Sequence, residues 1–330
     1  MERIMMAHGS GGRLSHELIR NLFQKHLGNP YLDQMNDATI LPGGAQIAVT
    51  TDSFVVSPLF FRGGNIGKLA VCGTVNDLAV SGALPQFLTL AIILEEGFPL
   101  DELEQIIKSV AETAAQAGVR IVCGDTKVVE RGSADKIFIN TTGIGYITNR
   151  LIGPEHIRPG DEILITGTIG DHGIAILSER EGLEFQTPVV SDCAPLNGLI
   201  DAFYQSGVKC MRDPTRGGVA TTLNELAQQA GVSMLLEEIN LPLLPSVEGA
   251  CGMLGLDPLY LANEGKTLVI VAPDVAEEVL RKMQAHPFGH FATRIGRVQE
   301  GKPGLVLLET PLGGKRIVGM LEGEHLPRIC

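Results

Sequence analysis

Asn65-Ile66-Gly67-Lys68-Leu69-Ala70-Val71-Cys72-Gly73-Thr74-Val75-Asn76-Asp77-Leu78-Ala79-Val80-Ser81-Gly82 carries the punctuation of a single helix. Asn65 is a natural N-cap, Gly82 a natural stop, and Ile66, Leu69, Ala70, Leu78 and Ala79 supply an apolar side. Asp77 is the discordant residue, because an unpartnered carboxylate is costly to bury in a mostly apolar helix. Strands flank this helix. Gln46 to Thr51 alternates and stops at Asp52, and Gln86 to Leu94 is a strong strand. Pro99 and Asp101 open a second helix with Leu103, Ile106, Ile107, Val110 and Ala114 at three-to-four spacing, closed by Gly118. Val119 to Cys123 follows as a short buried strand ending at Gly124-Asp125-Thr126-Lys127, and Lys136 to Ile147 supplies the last strands of this half.

Pro154 and Pro159 place a domain junction within Asn149 to Gly160. The second half repeats the style. Strands are expected at Glu162–Thr166, Val208–Met211, Ser233–Leu236 and Thr267–Val271. Helices are expected after Gly170-Asp171-His172-Gly173 and at about Pro195–Gln205, Gly217–Ala230 and Asp274–Ala285, with closing strands after the last. Two α+β layers of similar size result, as a length of 330 residues allows.

Composition narrows the function classes. A net charge of −12, no Trp and 5% aromatics leave neither the basic patches nor the stacking faces that a nucleic acid needs. The apolar stretch near Phe87 to Leu94 is far too short to span a bilayer. Nothing at Met1-Glu2-Arg3 reads as a signal peptide, and the six cysteines form no CxxC pair. They are expected to be reduced thiols of a cytosolic protein, five of them packing residues. Glycine accounts for 40 residues of the chain, clearly above the usual ~7%, and gathers at turns beside polar residues.

Three groups of residues could carry chemistry. Asp37, Asp52, Asp77 and Asp125 fall at the ends of elements, where carboxylates could converge on one sheet edge as the hard oxygen ligands Mg²⁺ prefers. Taken singly, each also suits a turn or a cap. Gly9-Ser10-Gly11-Gly12 precedes a helix near Leu14, and Thr215-Arg216-Gly217-Gly218 opens the helix to Ala230. Such loops let a backbone approach phosphate, although neither is a Walker loop and no GxGxxG follows a strand. Lys127, and Glu264 in Ala262-Asn263-Glu264-Gly265-Lys266, could stabilise phosphoryl transfer and take a proton, or could form a surface ion pair. Asp171-His172 at a helix start suits capping.

The sequence closes on Pro327-Arg328-Ile329-Cys330 after a stretch with no helical or strand period, which reads as a mobile tail. Ten extended residues from Leu321 would reach roughly 33 Å, enough to carry a sulfur from solvent into a cleft.

Taken together, these motifs resemble the HypE family of hydrogenase maturation factors. More broadly they resemble the superfamily of aminoimidazole ribonucleotide synthetase, selenophosphate synthetase and thiamine-monophosphate kinase. The resemblance spans essentially the whole chain: Ala7-His8-Gly9-Ser10-Gly11-Gly12, Thr51-Asp52-Ser53, Gly63 to Leu69, Asn76-Asp77, Gly124 to Val129, Gly170 to Gly173, Asp213 with Thr215 to Gly218, Ala262 to Lys266, and the Pro-Arg-Ile-Cys end. The terminal cysteine singles out HypE within that superfamily.

The resemblance implies an α+β fold of two α/β-layered domains of the aminoimidazole ribonucleotide synthetase type. Residues 1–150 would bind ATP and Mg²⁺ and join their sheets across a homodimer, 151–318 would form a C-terminal α+β domain, and 319–330 would be a flexible tail. It further implies a cytoplasmic enzyme that converts an S-carbamoyl group on Cys330 to a thiocyanate. Cys330, Glu264 and Lys127 would be catalytic. Gly9, Ser10, Gly11, Gly12, Asn76, Asp77, Thr126, Lys127, Arg216, Gly217 and Gly218 would hold ATP. Asp37, Asp52, Asp77 and Asp125 would hold the metal. The carbamoyltransferase HypF would load the thiol, and the HypC–HypD complex would receive cyanide for the [NiFe]-hydrogenase centre.

Overall fold

The computed structural model describes residues 12–18, 20, 39–41, 46–147, 152–180, 188–204, 207–323 and 328–330. Gly9, Ser10, Gly11 and Asp37 lie outside the described residues.

The N-terminal half is a five-stranded sheet with helices on one face. Its strands are β1 (Thr39–Leu41), β2 (Gln46–Phe54), β5 (Leu84–Glu95), β6 (Arg120–Val129) and β7 (Ile137–Ile147), in the order β1-β2-β7-β5-β6. A small pair, β3 (Phe60–Phe61) and β4 (Gly64–Asn65), precedes α2 (Ile66–Val80); α1 (Arg13–Leu18) comes before β1. Asn65 caps α2 as expected, its side chain accepting from the amides of Gly67 and Lys68. Gly118 closes α3 (Leu100–Ala117) in the left-handed conformation.

Among the described residues the sheet is covered on one side only. Along β7 the residues alternate strictly between buried and half-buried. The covered face presents Ala48, Phe54, Leu88, Ile92 and Ile139 to α2 and α3. The helix α2 is not one-sided, as its apolar pattern suggested. It is buried nearly all round, because its end, at Ala79 and Val80, enters a core shared with the C-terminal half.

That second half is a seven-stranded sheet, order β14-β13-β10-β12-β8-β11-β9, of β8 (Glu162–Ile165), β9 (Val208–Arg212), β10 (Ser233–Glu237), β11 (Leu268–Val271), β12 (Thr293–Gln299), β13 (Leu305–Glu309) and β14 (Lys315–Ile317). Both faces are covered. On β11, Leu268 and Ile270 pack with α6 (Gly218–Ala230). Val269 and Val271 pack with α5 (Asn197–Phe203) and α8 (Ala276–Gln284). Helix α4 (Asp171–Ser178) packs beside α7 (Pro245–Leu254), a helix that periodicity did not disclose.

Two strands run further than expected, with consequences for the site. β2 continues through Asp52 to Phe54, and β6 continues through Gly124 to Val129. Asp52 and Asp125 are therefore mid-strand residues whose side is fixed by pleat parity. Asp52, Thr141, Leu90 and Gly124 form one cross-strand row, and Ser53, Asn140, Ala91 and Asp125 form the next. Asp125 thus lies three strands from β2, about 14 Å away, on the open face of the sheet, with Lys127 two residues further along the same face.

Candidate active site

The site forms where α2 and β2 meet the loop before β11. On the helix-covered face Asp52 lies against Asp77 of α2, the two carboxyls sharing a hydrogen bond. Thr74 donates to Asp52 Oδ2 at 2.9 Å and Thr50 donates to Asp77 Oδ2 at 2.8 Å. The discordant aspartate of the apolar helix is thus explained by hydroxyls placed beside it. Burial raises the pKa of Asp52, offset by the Thr74 hydroxyl, the Arg216 charge and the bond to Asp77. A shared proton between paired carboxyls is what a divalent cation would displace, so the pair suits Mg²⁺, which takes one or two protein carboxylates plus phosphate oxygens. Asp125 does not join the pair in this chain, and among the described residues no three acidic, His or Cys side chains gather as a ligand set.

Glu264 is almost fully buried in the loop Ala262 to Lys266. Its backbone is held from two sides. Asn76 of α2 donates to the carbonyls of Glu264 at 3.3 Å and Ala194 at 3.1 Å, and accepts from Leu196 N at 2.8 Å. Asp192 accepts from the amides of Glu264 and Gly265, both at 3.1 Å. A Cβ at Gly265 would stand 1.8 Å from Asp192 O, so only glycine permits this approach. Asn76, expected at the nucleotide, commits its amide group to holding the Glu264 loop.

The Glu264 carboxyl has an orphaned Oε1. Burial pushes its pKa well above the usual carboxylate range, with Cys193, Asp192 and Asp213 adding to the rise and Arg216 opposing it. The residue within reach is Cys330. Its thiol lies within hydrogen-bonding distance of Glu264, and its pKa is pushed up to about 12 by burial and by Glu264, against the pull of Arg216. Arg216, on the exposed turn before α6, thus acts electrostatically on Asp52, Glu264 and Cys330 alike.

The end of the chain, expected to swing freely, is docked here. Val55 N donates to Cys330 O at 3.3 Å and Ser57 N to Arg328 O at 3.1 Å, so the chain end pairs as a short extension beyond β2. The Ile329 side chain is buried in the N-terminal core with Phe54, Val56 and Phe61. Gly12 packs against the start of the last segment, where a Cβ would stand 2.4 Å from Leu321 O.

Gly217 and Gly218 open α6 with positive φ. A Cβ on Gly218 would strike the carbonyls of Leu259 and Leu261 at 2.5 and 2.6 Å, so packing alone requires glycine there. Thr126 lies in β6 with Asp125. Lys127 is exposed on β6, and the structure does not bring it to Glu264, whose charged surroundings are Asp192, Asp213 and Arg216. Asp192 and Ser191, isolated among loop residues, gave no sequence signal.

Behind the Glu264 loop lies a cavity of about 450 Å³ lined by Lys68, Thr168, Asp171, Asp192 and Lys266 among others. Asp171 was expected as a cap, but Gly170 holds that position. The carboxyl bonds to the Thr168 hydroxyl and lies 3.9 Å from Lys266 Nζ. Its other oxygen is buried without a partner, and burial raises its pKa to about 6 despite Lys266.

Residues 35–147 match the model of the N-terminal domain of AIR synthase related proteins, and residues 158–307 match that of the C-terminal domain. A carbamoyl dehydratase HypE of Cupriavidus necator is 52% identical over 99% of this chain and 95% of its own length. That of Escherichia coli is 47% identical over the full length of both. Among solved structures, a HypE–HypF complex aligns with TM-score 0.88 at 51% identity, covering 92% of this chain and 99% of the other. A hydrogenase maturation protein HypE in complex with ATP aligns with TM-score 0.84 at 48% identity, over 99% and 100%. The two-domain architecture, the docked terminal cysteine and these similarities converge: the chain belongs to the HypE family of carbamoyl dehydratases, on the AIR synthase related fold.

Proposed function

We propose that the chain dehydrates an S-carbamoyl group carried on Cys330 to a thiocyanate, consuming ATP, and so supplies the cyanide ligand of the [NiFe]-hydrogenase centre. The observation that carries this is the Cys330 thiol lying against the buried carboxyl of Glu264, beside Asp52 and Arg216. ATP with Mg²⁺ supplies the phosphoryl group that makes the carbamoyl oxygen a good leaving group. Asp52 and Asp77 would hold the metal, and Arg216, whose charge acts on Asp52, would meet the phosphates together with the turn at Gly217 and Gly218. Gly9 to Gly12 remain proposed phosphate contacts.

Glu264 takes one nitrogen proton as the carbamoyl oxygen is phosphorylated, gives it up to phosphate or solvent, and takes the second as the carbon–oxygen bond breaks and the nitrile forms. Its burial makes it a stronger base than an exposed carboxylate and keeps water from the activated group. The balance is R–S–C(=O)NH₂ plus ATP giving R–S–C≡N, ADP and phosphate.

Asp125 and Lys127 lie on the open face of the sheet, which also exposes Ile93, while β6 is an unpaired edge. We assign this face to a second copy, giving a homodimer with joined N-terminal sheets, and the parts expected of Asp125, Thr126 and Lys127 to that assembly. A partner of the HypF type would load Cys330, and a HypC–HypD complex would accept the cyanide. No described helix is long and apolar enough to cross a membrane; the demand for ATP places the reaction in the cytoplasm.

Intact-protein mass spectrometry tests the reaction. A chain carbamoylated on Cys330 should lose the mass of one water on addition of Mg-ATP, and a mass that stays unchanged overturns the proposal.

A further inference from the structure

The chain end is held by side chains that play no part in the chemistry above. His172 is fully buried at the start of α4, edge-on to Phe61 with ring centroids 5.5 Å apart. One ring nitrogen, Nε2, is 2.8 Å from Ile329 O, and the other, Nδ1, is 2.8 Å from Ser191 Oγ. A carbonyl oxygen only accepts, so Nε2 must carry the hydrogen. Nδ1 of the neutral ring then accepts from the Ser191 hydroxyl, whose oxygen accepts in turn from Cys193 N at 3.1 Å. The hydrogen bonds run in one direction, from a fixed backbone amide to the carbonyl next to the reactive cysteine.

Arg180, two residues beyond α4, acts on the preceding residue. It donates through Nη2 to Arg328 O and through Nε to Ser57 O, both at 3.0 Å. It therefore ties the chain end to the strand extension it lies beside. The bonds to Ile329 O and Arg328 O read main chain, while the side-chain contacts are the apolar core around Ile329 and the ion pair of Arg328 with Asp135.

We propose that His172, oriented by Ser191, and Arg180 are positioning residues that latch the chain end by its carbonyls at Ile329 and Arg328 and thereby deliver Cys330 to Glu264. The catalytic consequence rests on the dehydratase reaction proposed above; the latch itself does not.

The test is the alkylation rate of Cys330 by iodoacetamide in the full chain, followed by peptide mass spectrometry. The docked thiol, partly buried and held against Glu264, reacts more slowly than a thiol on a free end. Losing one such hydrogen bond should raise that rate about 5- to 10-fold in Arg180→Met, and at least as much in His172→Phe. His172→Gln, which keeps a donor toward Ile329 O, should return toward the wild-type rate. The rate at Cys210, buried in the separate core of the C-terminal half, should not move, which separates lost latching from general loosening. Carbamoylated Arg180→Met should also dehydrate more slowly in single turnover. Unchanged Cys330 alkylation in Arg180→Met overturns the latch, including where His172→Phe fails to fold. If the wild-type carbamoylated chain does not dehydrate, the reaction fails while the alkylation rates still decide the latch.

Discussion

Glu264 and Asp171 show one physical effect put to two uses. Both carboxyls are buried and raised, but Glu264 faces the thiol and Asp171 lines a pocket open to solvent. For Glu264 the consequence is kinetic. The base works only when ionised, so dehydration should rise with pH through a value above the ordinary carboxylate range. Glu264→Gln should cost about 10²–10⁴ in rate and flatten that limb while Cys330 remains loadable, as single-turnover assays across pH would show.

For Asp171 the consequence is one of stability. Its folded pKa of about 6 exceeds the ordinary aspartate value of 3.8, so the folded state holds its proton longer. Stability from this group is complete below the lower value and is lost as pH rises to the upper one. Asp171→Asn should therefore match wild type near pH 3.5 and exceed it by about 1–3 kcal/mol at pH 7, measured by urea unfolding. The catalytic candidates Glu264, Asp52, Asp77 and Cys330 were visible in the sequence because a carboxylate in an apolar segment and a terminal thiol are both out of place. His172 was not, since a histidine at a helix start looks like a cap until its distant partner, Ile329, is known.

Among elements, α2 governs the architecture. It carries Asp77 against Asp52 and, one residue earlier, Asn76 toward the C-terminal half, so a single helix spaces the two halves of the site. Asn76→Ala would strand the carbonyls of Ala194 and Glu264 and the amide of Leu196 in a dry interface. A loss of about 2–3 kcal/mol in urea unfolding is expected, together with slower dehydration because the Glu264 loop loses its support. The cap at Asn65 and the stop at Gly118 were legible because they are local chemistry. The sides taken by Asp52 and Asp125 were not, because a strand continuing past its apparent end reverses nothing in composition yet fixes which face each carboxylate occupies.

At the scale of the molecule, two quantities remain balanced. The open sheet face and the unpaired edge of β6 leave Ile93 42% exposed on the side opposite the helices, a pattern that asks for a covering partner. Wild type should sediment as a dimer and Ile93→Asp as a folded monomer, and sedimentation velocity reads the difference. The docked end is the second balance. Fixing a residue costs about 1–2 kcal/mol. Against three such residues stand the burial of Ile329, about 2 kcal/mol, and four main-chain hydrogen bonds of about 1 kcal/mol each. The net is about 0–3 kcal/mol in favour of docking, small enough for the end to undock, as the cycle of loading and conversion proposed above would require.

The slot beside β2 holds three residues by their carbonyl groups, the Ile329 side chain and the Arg328 ion pair with Asp135, and such recognition does not depend on covalent continuity with the rest of the chain. An unattached tripeptide Arg-Ile-Cys, or the terminus of a neighbouring molecule, is therefore a competitor for the same berth. At high protein concentration, exchange of ends between molecules would let one subunit process the cargo of another.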